Sequence, residues 1–155
     1  PGTIKGLGRG KIAFTGNVYG ERELWAKKLK DVYGEDFQVV SGYYNRDLYD
    51  FCAEVPIVIA PMYSIDNFYW GNRCYMITGS GGFLIPPRCK DLEKEFKDGE
   101  EIVVYDWTMD DLYEKIDYYL EHEEERKKIQ LAGFEKTKKA YNFTNRVGEL
   151  LNYLK

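Results

Sequence analysis

The sequence predicts a doubly wound α/β fold: a five-stranded parallel, Rossmann-like sheet with extra helices at its C-terminal end. Short apolar runs alternate five times with segments of helical periodicity, and the connections between them are only a few residues long. The run at residues 56–61 (PIVIAP) is almost wholly apolar, as expected for a central parallel strand covered on both faces. Because right-handed crossovers place helices on both sides of such a sheet, the pattern indicates two helical layers around one sheet.

The strands are predicted from apolar runs bounded by glycine, proline or polar residues. They lie at residues 11–16, 37–42, 56–61, 83–86 and 101–105. Each run is short enough for a strand and too short for a typical helix, which favours the parallel-sheet interpretation.

Helices are predicted between and after these runs. They lie at residues 21–33, 45–55, 64–78, 90–97, 124–141 and 144–154, and one more begins after Thr108. Gly34 ends the first helix, and Thr108 and Asp111 have the spacing of a capping box. The last helix carries an apolar stripe, formed by Val147, Leu150, Leu151 and Leu154.

Size and charge limit the classes of function. The 155 residues are enough for one domain at 11–155, preceded by a linker or leader at 1–10. The net charge of -4 argues against nucleic-acid binding, which needs a basic face. No apolar run is long enough for a membrane span, and the three cysteines form neither a disulfide framework nor a metal clip. We therefore expect a reduced, cytoplasmic protein.

Ligands of such sheets bind at the carboxyl ends of the strands, near the point where the strand order reverses. Aromatic and amide residues concentrate there, including Asn17, Tyr43, Tyr63 and Asn67. Two interpretations are open: these residues bind a nucleobase or sugar, or they bury against a neighbouring domain or subunit. A helix N-terminus at Ser64 would offer free N–H groups to a phosphate.

Several sharper motifs are absent or misplaced. The glycines of residues 6–10 precede the first strand, so they form neither a dinucleotide fingerprint nor a phosphate loop. The glycines of residues 79–82 are predicted to end a helix and allow close packing. His122, the only histidine, lies in an acidic run at a helix boundary, and no metal site of ordinary ligand spacing appears.

The stretch from Asn72 onward resembles the C-terminal half of group 1 glycosyltransferases of the GT-B fold, in the spore-maturation-protein-like branch. The order of the elements before it fits as well, so the resemblance covers roughly residues 11–154. The matching residues are Arg73, Tyr75, Gly81, Gly82, Phe83, Leu92, Glu93, Phe96, Gly99, Glu100, Glu101, Glu124, Glu125, Arg126, Tyr141, Thr144 and Arg146.

The resemblance implies a domain that binds a nucleotide-diphosphate sugar as substrate, in a hexosyl-type transfer, with no further cofactor. Gly16 and Asn17 would approach the phosphates and sugar, Arg73 would neutralise the diphosphate, and Tyr43 and Tyr63 would contact the base. The full set of donor-site candidates is Gly16, Asn17, Arg22, Gly42, Tyr43, Tyr63, Ser64, Asn67, Asn72 and Arg73. A missing N-terminal acceptor domain or a partner chain would complete the enzyme, and the first residue, Pro1, agrees with a fragment.

One departure from the family pattern concerns the ribose. The family has a glutamate three residues after the arginine, where this chain has Met76, and an earlier carboxylate position falls on Phe68. Because methionine cannot accept a hydroxyl proton, the ribose contact is lost or moves to Asp66, Asn67 or Asn72. Two hypotheses therefore stay open: a glycosyltransferase donor domain, or a non-catalytic binding or assembly module descended from one. A flavodoxin-like or receiver-type module would share the fold, but this chain lacks the acidic cluster or phosphate loop that would support that interpretation.

Overall fold

Four parallel strands form one sheet in the part of the chain that the computed structural model describes, residues 10–41, 46–60 and 70–154. The strands are β1 (Ile12–Thr15), β2 (Phe37–Val40), β3 (Ile57–Ile59) and β4 (Leu84–Ile85). Their order is β2-β1-β3-β4, so the strand order reverses at β1. Ile12 lies opposite both Phe37 and Ile57 in the register. The expected ligand crevice is therefore at the carboxyl ends of β1 and β3.

The helices follow the predicted pattern closely. They are α1 (Glu21–Tyr33), α2 (Arg46–Glu54), α3 (Arg73–Gly79), α4 (Leu92–Glu95), α5 (Met109–Glu121), α6 (Glu123–Ala140) and α7 (Phe143–Tyr153). The predicted cap of α5 is confirmed, since Thr108 Oγ1 accepts a hydrogen bond from the Asp111 N–H at 3.2 Å. His122 is exposed at the boundary between α5 and α6, as predicted.

The fifth strand predicted at residues 101–105 is not formed as a strand of this sheet. The segment still lies beside β4, because the Val103 N–H donates to Leu84 O at 3.3 Å and the Tyr105 N–H to Pro86 O at 3.1 Å. Pro86, which faces this segment, has no N–H to donate in return. The return hydrogen bond forms only at Arg88, whose N–H donates to Tyr105 O at 2.8 Å, so the pairing is limited to the isolated bridge of Pro87 with Tyr105.

The helix predicted at residues 64–78 begins later than expected in the described residues. Trp70 to Asn72 is not helical, and α3 begins at Arg73. Gly71 has a low helix propensity, which favours a start after it. Residues 61–69 lie outside the described residues.

Alternate strand residues build two cores, one on each face of the sheet. Ala13 and Val58 pack with α2, α3 and α4 on one face. Ile12, Phe14 and Ile57 pack with α1 and α5 on the other. The strand period of two thus sends apolar side chains to both faces, and the predicted doubly wound arrangement is confirmed.

Several residues that carry the family resemblance hold the helices in place. A β-carbon on Gly82 would lie 2.7 Å from Cys52 O, so the chain can approach α2 closely only with glycine here. Tyr141 donates its hydroxyl hydrogen bond to Glu95 O at 3.0 Å, joining the end of α6 to α4. The buried Arg126 donates to Tyr119 O at 2.8 Å, near the C-terminal end of α5. Helix α3 ends at Gly79, and Gly82 allows the close approach to α2. The prediction that the glycines at 79–82 end a helix and allow close packing is therefore confirmed.

Candidate functional site

The carboxyl end of β1 contacts the beginning of α3 through Gly16 and Arg73. A β-carbon built on Gly16 would lie 2.7 Å from Arg73 Nη2 and 3.0 Å from Arg73 Cζ. Gly16 has a φ of 135°, a conformation that L side chains rarely adopt. Its N–H donates to Val40 O at 2.8 Å, which fixes the backbone at the end of β2. Glycine therefore lets the guanidinium lie directly against the backbone where the strand order reverses.

Local sequence places Arg73 at this point. It is the first residue of α3, and the next residue, Cys74, is buried in the core on the α3 face of the sheet. The Met76 N–H donates to Asn72 O at 3.0 Å, which closes the first helical turn. Asn72 is exposed, and its side chain makes no capping hydrogen bond to α3. The amide of Asn72 thus lies at the same end of α3 as Arg73.

The charges of Arg73 and Arg22 interact at this site. Burial lowers the pKa of the Arg73 guanidinium, and the nearby charge of Arg22 lowers it further. Among the side chains that the structure describes, no carboxylate forms an ion pair with Arg73. Arg22 lies with its Cζ 5.2 Å from the centre of the Tyr19 ring. An anion between the two guanidiniums would offset both the desolvation and the mutual repulsion.

Thr15 is a polar residue of the site that the sequence analysis did not select. Its Oγ1 is buried and has no hydrogen-bond partner among the residues that the structure describes. By strand alternation it shares the face of Ala13, on which α2 and α3 pack. The one feature of the sequence that could have indicated Thr15 as a site residue is its hydroxyl group at the end of an otherwise apolar strand.

The structure brings together part of the predicted donor site. Gly16 contacts Arg73, and the charge of Arg22 acts on that of Arg73. Asn17 is exposed directly after Gly16, and Asn72 directly precedes Arg73. The other candidates lie outside the described residues: Gly42, Tyr43, Tyr63, Ser64 and Asn67. Asp66 and Phe68 also lie outside them.

A second arginine, Arg88, follows β4 and differs from Arg73 in its surroundings. Its guanidinium contacts the carboxylates of Glu93 and Asp106, and that of Asp98 at 3.3 Å. The hydrogen bond with Asp106 raises the pKa of Arg88 and lowers that of Asp106. Neighbouring carboxylates therefore neutralise Arg88, so it has much less charge to offer a ligand than Arg73.

Trp107 has an unusual backbone conformation in the same region. Its φ is 61°, in the left-handed region that non-glycine residues seldom occupy. The indole N–H donates to Arg88 O at 2.8 Å, and this hydrogen bond helps to hold the conformation.

Metal-ligand clusters and membrane-spanning helices are both absent from the described ranges. No group of three or more His, Cys, Asp and Glu side chains there is placed to hold a metal ion. None of the helices within those ranges combines the length and apolarity of a membrane span.

Comparison with solved structures identifies similar folds. The chain matches a sucrose-phosphate synthase from Thermosynechococcus elongatus with a TM-score of 0.72 at 15% identity, over 94% of this chain and 38% of that one. It matches a glycosyltransferase from Rickettsia africae ESF-5 with a TM-score of 0.70 at 12% identity, over 93% of this chain and 47% of that one. The chain thus spans less than half the length of either structure. At these identities the matches show a shared GT-B-type fold.

The sequence itself assigns the family. A comparison with curated protein sequences finds no significant match. A family model described as "Glycosyl transferase-like" matches residues 8–152, which is nearly the whole chain. The chain therefore belongs to the glycosyl transferase-like family.

Proposed function

We propose that this domain binds the nucleotide-sugar donor of a glycosyltransferase, with the diphosphate between Arg73, Arg22 and the backbone at Gly16. The observation that carries the proposal is the contact of Arg73 with Gly16 at the carboxyl end of β1. Rossmann-like sheets bind nucleotides at this position in the fold. A half-buried guanidinium without a paired carboxylate among the described residues has the charge that a diphosphate requires.

The same charges would assist the transfer reaction. When the bond between the sugar and the diphosphate breaks, negative charge develops on the departing nucleotide diphosphate. Arg73 and Arg22 would stabilise that charge. The Asn17 amide, exposed beside Gly16, would donate to a phosphate or sugar oxygen.

Met76 limits how the ribose is held. It lies on α3 one turn after Arg73, where the family pattern has a glutamate. Losing a hydrogen bond to a charged group costs about 1.5–3 kcal/mol, so the donor would bind roughly tenfold to a hundredfold more weakly than with the glutamate. In this proposal, Asn72 is the described residue best placed to replace part of that contact.

The finer features of the proposal rest on the resemblance and on the comparisons. The chain spans 38% and 47% of the two matched structures, which supports an acceptor site on a further domain or partner chain. The proposal has three further parts. The chain belongs to the spore-maturation-protein-like branch, the transferred sugar is a hexosyl group, and the protein is cytoplasmic.

A thermal-unfolding screen tests donor binding. The ligands are UDP, GDP, ADP, dTDP, CMP and their common sugar conjugates. A ligand at about 100 times its Kd adds roughly 2.7 kcal/mol, which raises the Tm by several degrees for a domain of this size. We expect a shift with one base, lost in Arg73→Ala and kept in Arg146→Ala, an arginine of α7. Flat curves with all nucleotides, or an equal shift in both variants, would contradict the proposal.

One observation favours the second candidate function, a non-catalytic assembly module. The apolar stripe of α7 is exposed: Val147, Leu150, Leu151 and Leu154 have exposed fractions of 55–76%. Exposed apolar patches of this kind commonly mark interaction surfaces. Concentration-dependent self-association combined with flat nucleotide curves would favour this function over donor binding.

A further inference from the structure

A cavity of about 300 Å³ lies between α5 and the turn at Asp98 and Gly99. It is separate from the Gly16–Arg73 contact. Segment 101–105 lies beyond β4, three strand positions from β1, which corresponds to roughly 14 Å across the sheet. In addition, α5 packs on the opposite face of the sheet from α3. We name this cavity the α5 pocket.

Two tyrosines form the aromatic wall of the α5 pocket. The rings of Tyr118 and Tyr119 are 5.0 Å apart, with an interplanar angle of 84°. Tyr118 also stacks on His122 at 3.9 Å, and its hydroxyl donates to Glu125 Oε2 at 2.8 Å. The Tyr119 ring packs against Phe83. These contacts fix the wall, while Tyr118 keeps 42% of its surface exposed.

The polar wall offers hydrogen-bonding groups, most of which are acceptors. Asp98 contacts the Arg88 guanidinium at 3.3 Å, which Glu93 and Asp106 also contact, and it accepts a hydrogen bond from the Val104 N–H at 3.0 Å. Lys115 is balanced by Asp111 at 3.2 Å. Glu114, exposed on α5, adds a further acceptor. Because carboxylate oxygens accept hydrogen bonds from hydroxyl groups, the wall suits a ligand that carries many hydroxyl groups beside an apolar face.

We propose that the α5 pocket binds a neutral hexose unit. Tyr118 would contact its apolar C–H face, Asp98 and Glu114 would accept hydrogen bonds from hydroxyls, and Lys115 would donate one. The volume is at the lower end of the range for small-molecule pockets, about 300–1,000 Å³, which fits one sugar unit. This site goes beyond the proposed donor function and does not depend on it.

Amide chemical shifts of the ¹⁵N-labelled protein test the proposal with glucose and maltotriose as probes. We expect both sugars to shift the Gly99 and Tyr118 amides, with a Kd on the order of 1 mM. Tyr118→Ala should weaken binding at least tenfold, which is about 1.4 kcal/mol. The matched control is Tyr153→Ala, since Tyr153 is 94% exposed on α7, and it should leave binding unchanged. Tighter binding of maltotriose would identify a glycan as the source of the hexose, and equal binding a free monosaccharide.

The same sugar titrations in Arg73→Ala separate the α5 pocket from the proposed donor site. The sugars should still shift the amides of this variant, whether or not the wild-type protein binds a nucleotide. The proposal is overturned if neither sugar shifts these amides, or if the shifts remain in Tyr118→Ala. It is also overturned if putrescine, a cationic probe, shifts the same amides and the sugars do not.

Discussion

Replacing Gly16 by alanine tests the contact on which the candidate site depends. The new β-carbon would lie 2.7 Å from Arg73 Nη2, a distance that real β-carbons do not tolerate. Because the contacted atoms end a flexible side chain, the guanidinium would move away while the strand stays in place. The positive φ of 135° adds backbone strain. Such strain costs on the order of 1–3 kcal/mol.

The two effects are measured separately. Urea unfolding reports the strain, as a loss of about 1–3 kcal/mol in the free energy of unfolding with an unchanged m-value. Titration with the nucleotide found in the screen reports the displaced guanidinium. Losing a charge-assisted hydrogen bond costs about 1.5–3 kcal/mol, so the Kd should rise roughly tenfold to a hundredfold.

Gly148→Ala is the matched control. Gly148 lies within α7, and a β-carbon there would have no atom within 4 Å. Alanine in a helix interior is better than glycine by about 0.8–1.0 kcal/mol, so this variant should be more stable than the wild type and bind the nucleotide equally. A Gly16→Ala protein with wild-type stability and wild-type affinity would refute the reasoning.

Two further predictions concern stability. Arg126→Ala should lower the free energy of unfolding by about 1.5–3 kcal/mol, because Tyr119 O loses a charge-assisted hydrogen bond. Urea unfolding measures this loss. The control is Lys127→Ala, an exposed position at which the free energy of unfolding should hardly change. Burial raises the pKa of the Cys52 and Cys74 thiols from the ordinary value of 9.0 to about 12. The unfolded thiols lose protons first, so the stability contribution is complete below about pH 9 and is lost as the pH rises toward 12. Unfolding curves across that range should show this fall, and a flat or rising stability would contradict it.

Local signals in the sequence predicted most of the fold. Helix α1 has the predicted bounds, because its periodicity ends at Gly34, and Thr108 caps α5 as expected. The missing fifth strand shows where local signals fail. Its own residues favour a strand, but Pro86, which interrupts the ladder, belongs to the neighbouring segment after β4. The effect of Pro86 depends on which segments pair, and that information is tertiary.

The candidate site was predictable in position and only partly in composition. The strand-end rule and the resemblance selected Gly16 and Arg73, and the structure places them in contact. The unsatisfied hydroxyl of Thr15 could not be predicted, since a threonine at a strand end usually has a partner. The neutralisation of Arg88 likewise depends on carboxylates that only the folded chain brings together.

The most direct test of the central claim is calorimetric titration with inorganic pyrophosphate, which carries the diphosphate charge without a base or sugar. If the site at Gly16, Arg22 and Arg73 binds a diphosphate, the wild-type protein should bind pyrophosphate, more weakly as salt increases. Arg73→Ala should weaken that binding at least tenfold, which corresponds to about 1.4 kcal/mol. Equal affinity in the wild type and Arg73→Ala, or no binding to either, would contradict the account.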